Sequence, residues 1–172
     1  MKILYTFTKV NMKTVSVPSK IVRTHKDGST DIYHVRRAIG KGGFSTVYEV
    51  SRSKTDQKFA IKAISLANLK EKGLIKRQLE EINIQASLDH PNILHAYDYF
   101  QDEFNFYIVL ELCPYHSVYN LFKQKGKLTE LDSADIIAQV LEGVKYLHQN
   151  SIIHRDIKLQ NLLIGADGKI KI

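Results

Sequence analysis

The stretch His154-Arg155-Asp156-Ile157-Lys158-Leu159-Gln160-Asn161 decides how the rest of this chain of 172 residues is interpreted. It places a carboxylate, a lysine and a carboxamide in close succession between an amphipathic segment and a hairpin pattern. A polar surface loop is the simplest alternative interpretation, but it would not explain this order of residues in this position.

The segment that precedes this stretch has the apolar spacing of a long helix. Thr129 begins T-E-L-D, which has the spacing of a helix-capping sequence. Apolar residues then fall on one arc at 100° per residue; they are Ile136, Ile137, Val140, Leu141, Val144 and Leu147. After the stretch, LLIGADGKIKI predicts a hairpin that turns at Asp167-Gly168.

The first half of the chain has the alternation of β-strands. Strand patterns run from about Tyr33 to Ile64, and two more strand patterns, ILHAYDYF and FNFYIVLEL, follow a helix predicted from about Leu69 to Leu88. A short helix is predicted at roughly His116 to Lys125. Residues 1–30 are polar and are interpreted as a leader that becomes ordered near residue 20. The sequence thus predicts an antiparallel β segment with one helix, followed by a mostly helical segment.

Glycines separate the first two predicted strands. Glycine lets a backbone approach phosphates closely and offers them amide donors, although a plain hairpin turn explains the pattern equally well. Ser45 stands where the pattern G-x-G-x-x-G would have its last glycine. The candidate phosphate-binding residues are Ile39, Gly40, Lys41, Gly42, Gly43, Phe44, Ser45, Thr46 and Val47.

A lysine and a glutamate complete the set of candidate residues. Strand alternation puts Lys62 on the same face as Ala60 and Ile64, where an ammonium is costly unless it is paired; a lysine that reaches water from an edge strand is the alternative. Glu81 of the predicted helix points further inward than Glu80, so we prefer Glu81 as the partner of Lys62, against the alternative of an ordinary surface glutamate. Together with the 154–161 stretch, these groups have the chemistry that phosphoryl transfer needs.

Composition excludes several classes of protein. Hydrophobic residues make up 44% of the chain and charged residues 25%, as in globular proteins. Cys113 is the single cysteine, so a disulfide framework or cysteine-based zinc site is excluded and an intracellular protein is expected. The net charge of +7 suits a polyanionic partner such as a nucleotide. We expect no nucleic-acid partner, because the basic residues are scattered without a binding motif, and no membrane span.

The order of these motifs resembles that of the eukaryotic protein kinases: glycine loop, A-I-K, helix glutamate, then H-R-D-x-K-x-x-N. The segments GKGGF, SLDHPNIL, FYIVLELC, GVKYLH and K-L-x-N-L are most similar to polo-like kinases. The resemblance covers about residues 18–172. It implies an α+β, two-lobed kinase fold with a leader at 1–32, an N-terminal lobe at 33–112, and a hinge and partial C-terminal lobe at 113–172.

The resemblance also implies residue roles. Residues 39–47 would cover the phosphates of ATP beside Ala60, and Lys62 would pair with the α- and β-phosphates and with Glu81. Leu110 would be the gatekeeper, and the backbone at Glu111 and Cys113 would bind adenine. Asp156 would accept or orient the proton of the substrate hydroxyl, with Lys158 beside it favouring serine/threonine specificity. Asn161 would bind Mg²⁺.

The resemblance carries expectations about partners and activity. The partners would be ATP and proteins with Ser/Thr hydroxyls, and we expect an intracellular monomer of the cytoplasm or nucleus, with centrosome or spindle as possible sites. The family's D-F-G, expected soon after KIKI, does not occur by Ile172. We therefore expect an incomplete kinase domain with little or no phosphoryl transfer, the alternative being a non-catalytic nucleotide-binding or regulatory fragment.

Overall fold

The computed structural model of the chain describes residues 2–3, 15–42, 45–71 and 73–172. The described residues form two compact units. The sheet unit lies within residues 7–82 and 96–112, and the helical unit lies within residues 1–6, 83–95 and 113–172. The remainder of the predicted leader, residues 1 and 4–14, lies outside the described residues.

The strands and helices of the described residues are numbered in chain order. The strands are β1 Lys2–Ile3, β2 Lys20–Thr24, β3 Thr30–Lys41, β4 Ser45–Arg52, β5 Lys58–Ser65, β6 Ala96–Gln101, β7 Asn105–Leu110, β8 Ile152–Ile153, β9 Leu163–Ile164 and β10 Ile170–Lys171. The helices are α1 Leu66–Glu71, α2 Ile75–Ala86, α3 Val118–Lys125 and α4 Glu130–Gln149. None of these helices is long and apolar enough to cross a membrane.

The sheet unit is built on six antiparallel strands in the order β2-β3-β4-β5-β7-β6. One face carries a hydrophobic core, because alternate residues of the strands point to the same side; its fully buried members include Val50, Ile61, Ala63, Tyr107 and Val109. The predicted strands of residues 33–64 are confirmed as β3, β4 and β5. Their alternation places Ala60, Lys62 and Ile64 on the opposite face.

Part of the predicted leader belongs to this sheet. Strand β2, which the sequence did not predict, pairs with β3 and buries Ile21. Val15 packs against the same core, and its carbonyl accepts a hydrogen bond of 2.6 Å from the hydroxyl of Tyr48. Described residues of the leader that precede residue 20, Val15 among them, therefore already pack against the sheet.

The two outer strands of the sheet contact each other. The guanidinium of Arg23 on β2 forms an ion pair with the carboxylate of Asp98 on β6. The rings of Tyr33 on β3 and Phe100 on β6 are stacked with their centroids 6.3 Å apart. Since β2 and β6 are the first and last strands of the sheet, the sheet curves until its edges meet.

The single helix predicted from Leu69 to Leu88 is wrong in one respect, because two helices occupy this region. Helix α1 ends at Glu71, and α2 begins at Ile75. Gly73 between them has a φ of 63°, a left-handed conformation that ends a helix and that glycine adopts at low cost. Its N–H donates to the carbonyl of Lys70 at 3.1 Å. The apolar periodicity of the sequence continues across this break, so it predicts one continuous helix.

The helical unit confirms the helix predicted after Thr129. Thr129 caps α4, and its hydroxyl accepts a hydrogen bond of 3.0 Å from the backbone N–H of Asp132. The short helix is also confirmed, although α3 begins at Val118 after the capping residue Ser117 rather than at His116. Both helices begin at a hydroxyl-bearing cap, as the local sequence favours.

The predicted apolar arc of α4 is only partly buried. Leu147 is buried, and Ile136 and Val140 pack against a core cluster, but Ile137 and Leu141 are 58% and 59% exposed. Gly143 explains the orientation, since a Cβ built there would lie 3.0 Å from the carbonyl oxygen of Asn92. The helix therefore approaches its neighbours along its Gly143 side, which periodicity alone could not identify.

The predicted terminal hairpin is confirmed. Strands β9 and β10 are antiparallel, and Gly168 turns between them with a φ of 75°. The side-chain oxygen of Gln139 on α4 accepts hydrogen bonds from the backbone N–H of Ile170 at 2.9 Å and from the Asn92 amide at 3.2 Å. These contacts fix the hairpin against α4, directly after the stretch 154–161.

Candidate active site

Asp156 is the centre of a compact polar cluster in the loop between β8 and β9. The ammonium of Lys158 donates to both of its carboxylate oxygens, at 2.8 Å to Oδ1 and 2.6 Å to Oδ2. The Nδ2 of Asn161 donates to Oδ2 at 2.7 Å and to the Asp156 carbonyl at 2.8 Å. Charge-assisted bonds of this length are among the strong hydrogen bonds of proteins. The three candidate residues of this loop are therefore in direct contact.

The local backbone holds this cluster in place. Arg155, directly before Asp156, has a φ of 69°, a conformation that costs a residue with a side chain of the order of 1–3 kcal/mol and persists only where the surrounding structure imposes it. The part of the loop that follows Asp156 is bound by the start of α3. The N–H groups of Val118 and Tyr119 donate to the carbonyls of Leu162 and Leu159, respectively. The loop is thus fixed on both sides of Asp156.

His154 supports the loop from within the helical unit. Its Nδ1 accepts a hydrogen bond of 3.2 Å from the backbone N–H of Asp156. Burial lowers the pKa of His154, and the attraction of the Asp156 carboxylate opposes this only in part. A neutral imidazole is therefore favoured, which is the form that can accept this bond.

The glycine-containing segment forms the hairpin between β3 and β4. Gly40 pairs with Val47 and Lys41 with Thr46, and the N–H of Gly42 donates to the Ser45 carbonyl at 2.8 Å. Ile39 also lies on β3. The predicted residues Gly43 and Phe44 lie outside the described residues. The described part of the segment thus consists of the paired ends of two antiparallel strands, as the strand patterns predicted.

Lys62 lies at the middle of β5, in register with its neighbours on both sides. It is opposite Val47 of β4 and Ile108 of β7. Ala60, two residues earlier on the same face, is opposite Leu110, and both are buried. This face of β5 therefore presents the Lys62 ammonium between the apolar residues Ala60 and Ile64, beside the strand β4 that leads out of the glycine-containing hairpin.

Glu81 of α2 is buried, with 8% of its surface exposed, whereas Glu80 is exposed. This agrees with the inward orientation that was inferred from the helix pattern. Burial raises the pKa of Glu81, while the positive charges of Lys62 and Arg77 act against that rise. The described residues nevertheless show no ion pair within 4.0 Å between Lys62 and Glu81. The two groups attract each other without direct contact.

The predicted site residues are divided between the two units. The sheet unit holds Lys62, Glu81, Ala60, Leu110, Glu111 and the described residues of 39–47. The helical unit holds Cys113, Asp156, Lys158 and Asn161. Cys113 is partly buried, and its carbonyl accepts a 3.4 Å hydrogen bond from the N–H of His116. Within the helical unit the catalytic candidates form one cluster, while Cys113 lies in the segment before α3.

Asn161 is the candidate for holding a metal ion. Its Nδ2 is engaged by Asp156, which directs the amide nitrogen away and leaves Oδ1 without a partner in the part of the chain that the structure describes. In that same part no group of three or more His, Cys, Asp or Glu side chains could hold a metal. These residues fit an ion that takes one protein oxygen and draws its other ligands from phosphates and water, as Mg²⁺ does.

One buried residue near Glu81 was not identified from the sequence. Gln78 is 1% exposed, and neither its Nε2 nor its Oε1 has a hydrogen-bond partner among the described residues. It lies three residues before Glu81, so both side chains share one face of α2. The three-residue spacing from Glu81 is the available sequence signal for its burial, although glutamine is normally an exposed residue.

Comparison with known proteins agrees with this geometry. Residues 33–172 match the family model for the protein kinase domain. The chain belongs to the protein kinase family. The predicted kinase-like α+β fold is confirmed by this match together with the curved antiparallel sheet and its helices.

Individual relatives extend the comparison. The kinase chain is 39% identical over 160 residues to the serine/threonine-protein kinase polo of Drosophila melanogaster, and 36% identical over 155 residues to the cell cycle serine/threonine-protein kinase CDC5/MSD2 of Saccharomyces cerevisiae. These alignments cover 93% and 90% of this chain but only 27% and 21% of the relatives. A PLK4 kinase of Drosophila virilis is 38% identical over 144 residues. The predicted resemblance to polo-like kinases is confirmed.

Proposed function

We propose that this chain carries the ATP-binding and hydroxyl-orienting parts of a polo-like serine/threonine kinase. The observation that carries the proposal is the cluster of Asp156, Lys158 and Asn161, which assembles a carboxylate, an ammonium and an amide oxygen in one loop. Membership of the kinase family and the names of the relatives support the same conclusion. The division into a leader at 1–32 and lobes at 33–112 and 113–172 is part of this proposal.

The sheet unit would bind the nucleotide. The backbone amides of the hairpin at residues 39–47 would lie over the phosphates, and the Lys62 ammonium would pair with the α- and β-phosphates while Glu81 orients it. Ala60 and Leu110 would contact the adenine ring through their buried apolar side chains. The backbone at Glu111 would supply hydrogen bonds to its polar edge, and so would the backbone at Cys113, which belongs to the helical unit.

The helical unit would act on the substrate hydroxyl. The Asp156 carboxylate would orient the Ser or Thr hydroxyl of a protein substrate and accept its proton, since a positioned carboxylate can perform both steps. The Lys158 ammonium keeps that carboxylate oriented and would stabilise negative charge on the transferred phosphoryl group. A lysine at this place favours serine/threonine over tyrosine substrates in kinases that this chain resembles.

A magnesium ion would be held through Oδ1 of Asn161. When bound, Mg²⁺ neutralises phosphate charge and thereby makes the γ-phosphate accessible to a nucleophile. Asn161 would in addition keep Asp156 in place through its Nδ2, so one side chain connects the metal to the hydroxyl-orienting carboxylate. We further propose that the chain acts as a monomer inside the cell, in the cytoplasm or nucleus, with centrosome and spindle as specific sites.

Nucleotide binding is the first test. Replacing Lys62 with methionine removes a charge-assisted contact and should weaken the affinity for ATP in the presence of Mg²⁺ by about tenfold or more. Lys70→Met removes an exposed lysine of α1 and is the matched control. Affinities would be measured by isothermal titration calorimetry. Equal affinity of both variants, or no binding by the original chain, would contradict the proposal.

Phosphoryl transfer is the second measurement. Radiolabelled ATP and a Ser/Thr-rich protein substrate would be incubated with the chain, with Asp156→Asn and with Asp89→Asn, an exposed control. Any transfer of the labelled phosphoryl group should depend on Asp156, and only serine and threonine residues of the substrate should become labelled. ATP binding with no Asp156-dependent transfer would favour the alternative function, a non-catalytic nucleotide-binding fragment.

A further inference from the structure

Three buried polar atoms stand apart from the other buried polar groups of the chain. They are Nε2 and Oε1 of Gln78 and Oε2 of Glu81, and each has no hydrogen-bond partner among the residues that the structure describes. They are the complete set of such buried side-chain atoms within those residues. Each unpaired buried polar group costs about 1–3 kcal/mol, so native proteins rarely leave them together.

The unpaired atoms belong to two neighbouring side chains of one helix. Gln78 and Glu81 are three residues apart on α2, and both are buried on the same side of the helix. The Cβ atoms of such a pair are about 5–6 Å apart. Two successive hydrogen bonds of about 2.8 Å span a similar distance. No direct bond between the two side chains is formed, so a bridging molecule would be needed to pair these atoms.

The chemistry of the three atoms defines that molecule. Nε2 of Gln78 needs an acceptor, while Oε1 of Gln78 and Oε2 of Glu81 each need a donor. A molecule that both accepts and donates, and that is small enough for a buried place, is water; buried waters typically form about three such bonds. A metal cation would meet the two oxygens but would be repelled by the amide N–H groups.

We propose that α2 holds a buried water that accepts from Nε2 of Gln78 and donates to Oε2 of Glu81, making Gln78 a positioning residue for Glu81. A second water would donate to Oε1 of Gln78. The bridge fixes the Glu81 carboxylate relative to its own helix, and Lys62 and Glu81 form no direct ion pair within 4.0 Å among the described residues. The charged groups that act on Glu81 are Lys62 from β5 and Arg77 from α2 itself.

Only the consequence for nucleotide binding rests on the proposed function. If Lys62 and Glu81 together hold the phosphates, the water bridge sets the position of Glu81 and so contributes to ATP affinity. The bridge itself is independent of ATP. It can therefore be tested in the free chain, and its failure can be distinguished from a failure of the proposed function.

The first experiment is thermal unfolding of Gln78→Met, a change that nearly preserves side-chain volume. If the bridge exists, the variant leaves Glu81 and the water short of partners, and the melting temperature should fall by about 2–6 °C. When Glu81 is already replaced by methionine, adding Gln78→Met should raise the melting temperature or leave it unchanged, because the bridge is already lost. An unchanged or higher melting temperature for Gln78→Met alone would overturn the proposal. Gln124→Met, at an exposed site on α3, is the control.

A second measurement uses nuclear magnetic resonance on the folded chain. The side-chain amide protons of Gln78 should show a cross-peak to long-lived water, and losing the donated bond in Gln78→Met should raise the Glu81 carboxyl pKa above that of the original chain. A role in packing alone would not move that titration. Missing cross-peaks or an unmoved titration would overturn the proposal. Should the original chain bind no ATP, these results still decide whether the bridge exists.

Discussion

Among single residues, Glu81 and its sequence neighbour Glu80 differ in burial, because Glu81 is buried and Glu80 is exposed. Burial is the main cause of the raised pKa of Glu81, and Lys62 and Arg77 reduce the rise without removing it. A raised pKa in the folded state means that this group favours folding below its ordinary pKa of 4.5. That contribution is lost as the pH rises through the folded-state value.

Glu81→Gln should therefore change how stability depends on pH. Glutamine does not ionise, so near pH 4 the variant and the original chain should have similar free energies of unfolding. As the pH rises towards 7, the free energy of unfolding of the variant should increase relative to that of the original chain. Urea unfolding at a series of pH values would measure this. Glu80→Gln removes an exposed carboxyl one residue away, and the interpretation fails if it produces the same gain.

The residues of the candidate site differ in how much the sequence could reveal. The face of Lys62 followed from strand alternation, and the proximity of Asp156, Lys158 and Asn161 followed from their spacing in one loop. The contact geometry around Glu81 could not be predicted, because helix periodicity defines which side a residue faces but not the separation from β5. Gln78 was missed for the same reason, since its burial depends on packing rather than on its own hydrophobicity.

Gly73 shows at the scale of secondary-structure elements how one backbone conformation separates two helices. Its φ of 63° is left-handed, and a Cβ added there would meet no atom within 4 Å. Gly73→Ala should therefore cost only the backbone penalty of about 1 kcal/mol. Calorimetry should show a fall in the melting temperature of about 2–4 °C.

Gly73→Asn distinguishes this explanation from loss of flexibility alone. Asparagine tolerates the left-handed conformation better than alanine, so it should restore part of the lost stability. Equal losses for the alanine and asparagine variants would contradict the assignment of the effect to φ. The sequence predicted helical character on both sides of Gly73, but a lone glycine within an apolar pattern does not reveal whether the chain turns there.

At the scale of the whole molecule, the sheet unit begins earlier in the chain than the match to the protein kinase family model. The match starts at residue 33, whereas Val15 and Ile21 are already buried in the core of the sheet unit. Burying one such side chain contributes about 1.5–3 kcal/mol. Removing residues 1–32 should thus lower the free energy of unfolding by roughly 3–6 kcal/mol, as measured by urea denaturation.

Removal of residues 1–14 alone is the matched control for this truncation. It keeps Val15, Ile21 and all of β2, so it should retain most of the stability of the full chain. A chain that starts at residue 33 and unfolds at the same urea concentration as this control would show that β2 is dispensable. The sequence predicted the strands that follow residue 33 but not β2, because a charged five-residue strand has little hydrophobic pattern.

The ion pair between Arg23 and Asp98 has a consequence for how this molecule meets other chains. An open sheet exposes a row of unpaired N–H and C=O groups on each outer strand, and those rows are where foreign strands add and fibrils start. Here the outer strands β2 and β6 approach each other and hold charged side chains at their junction. The curved sheet thus works as its own barrier to strand addition, and a charge-removing change at either residue would open a route to self-association.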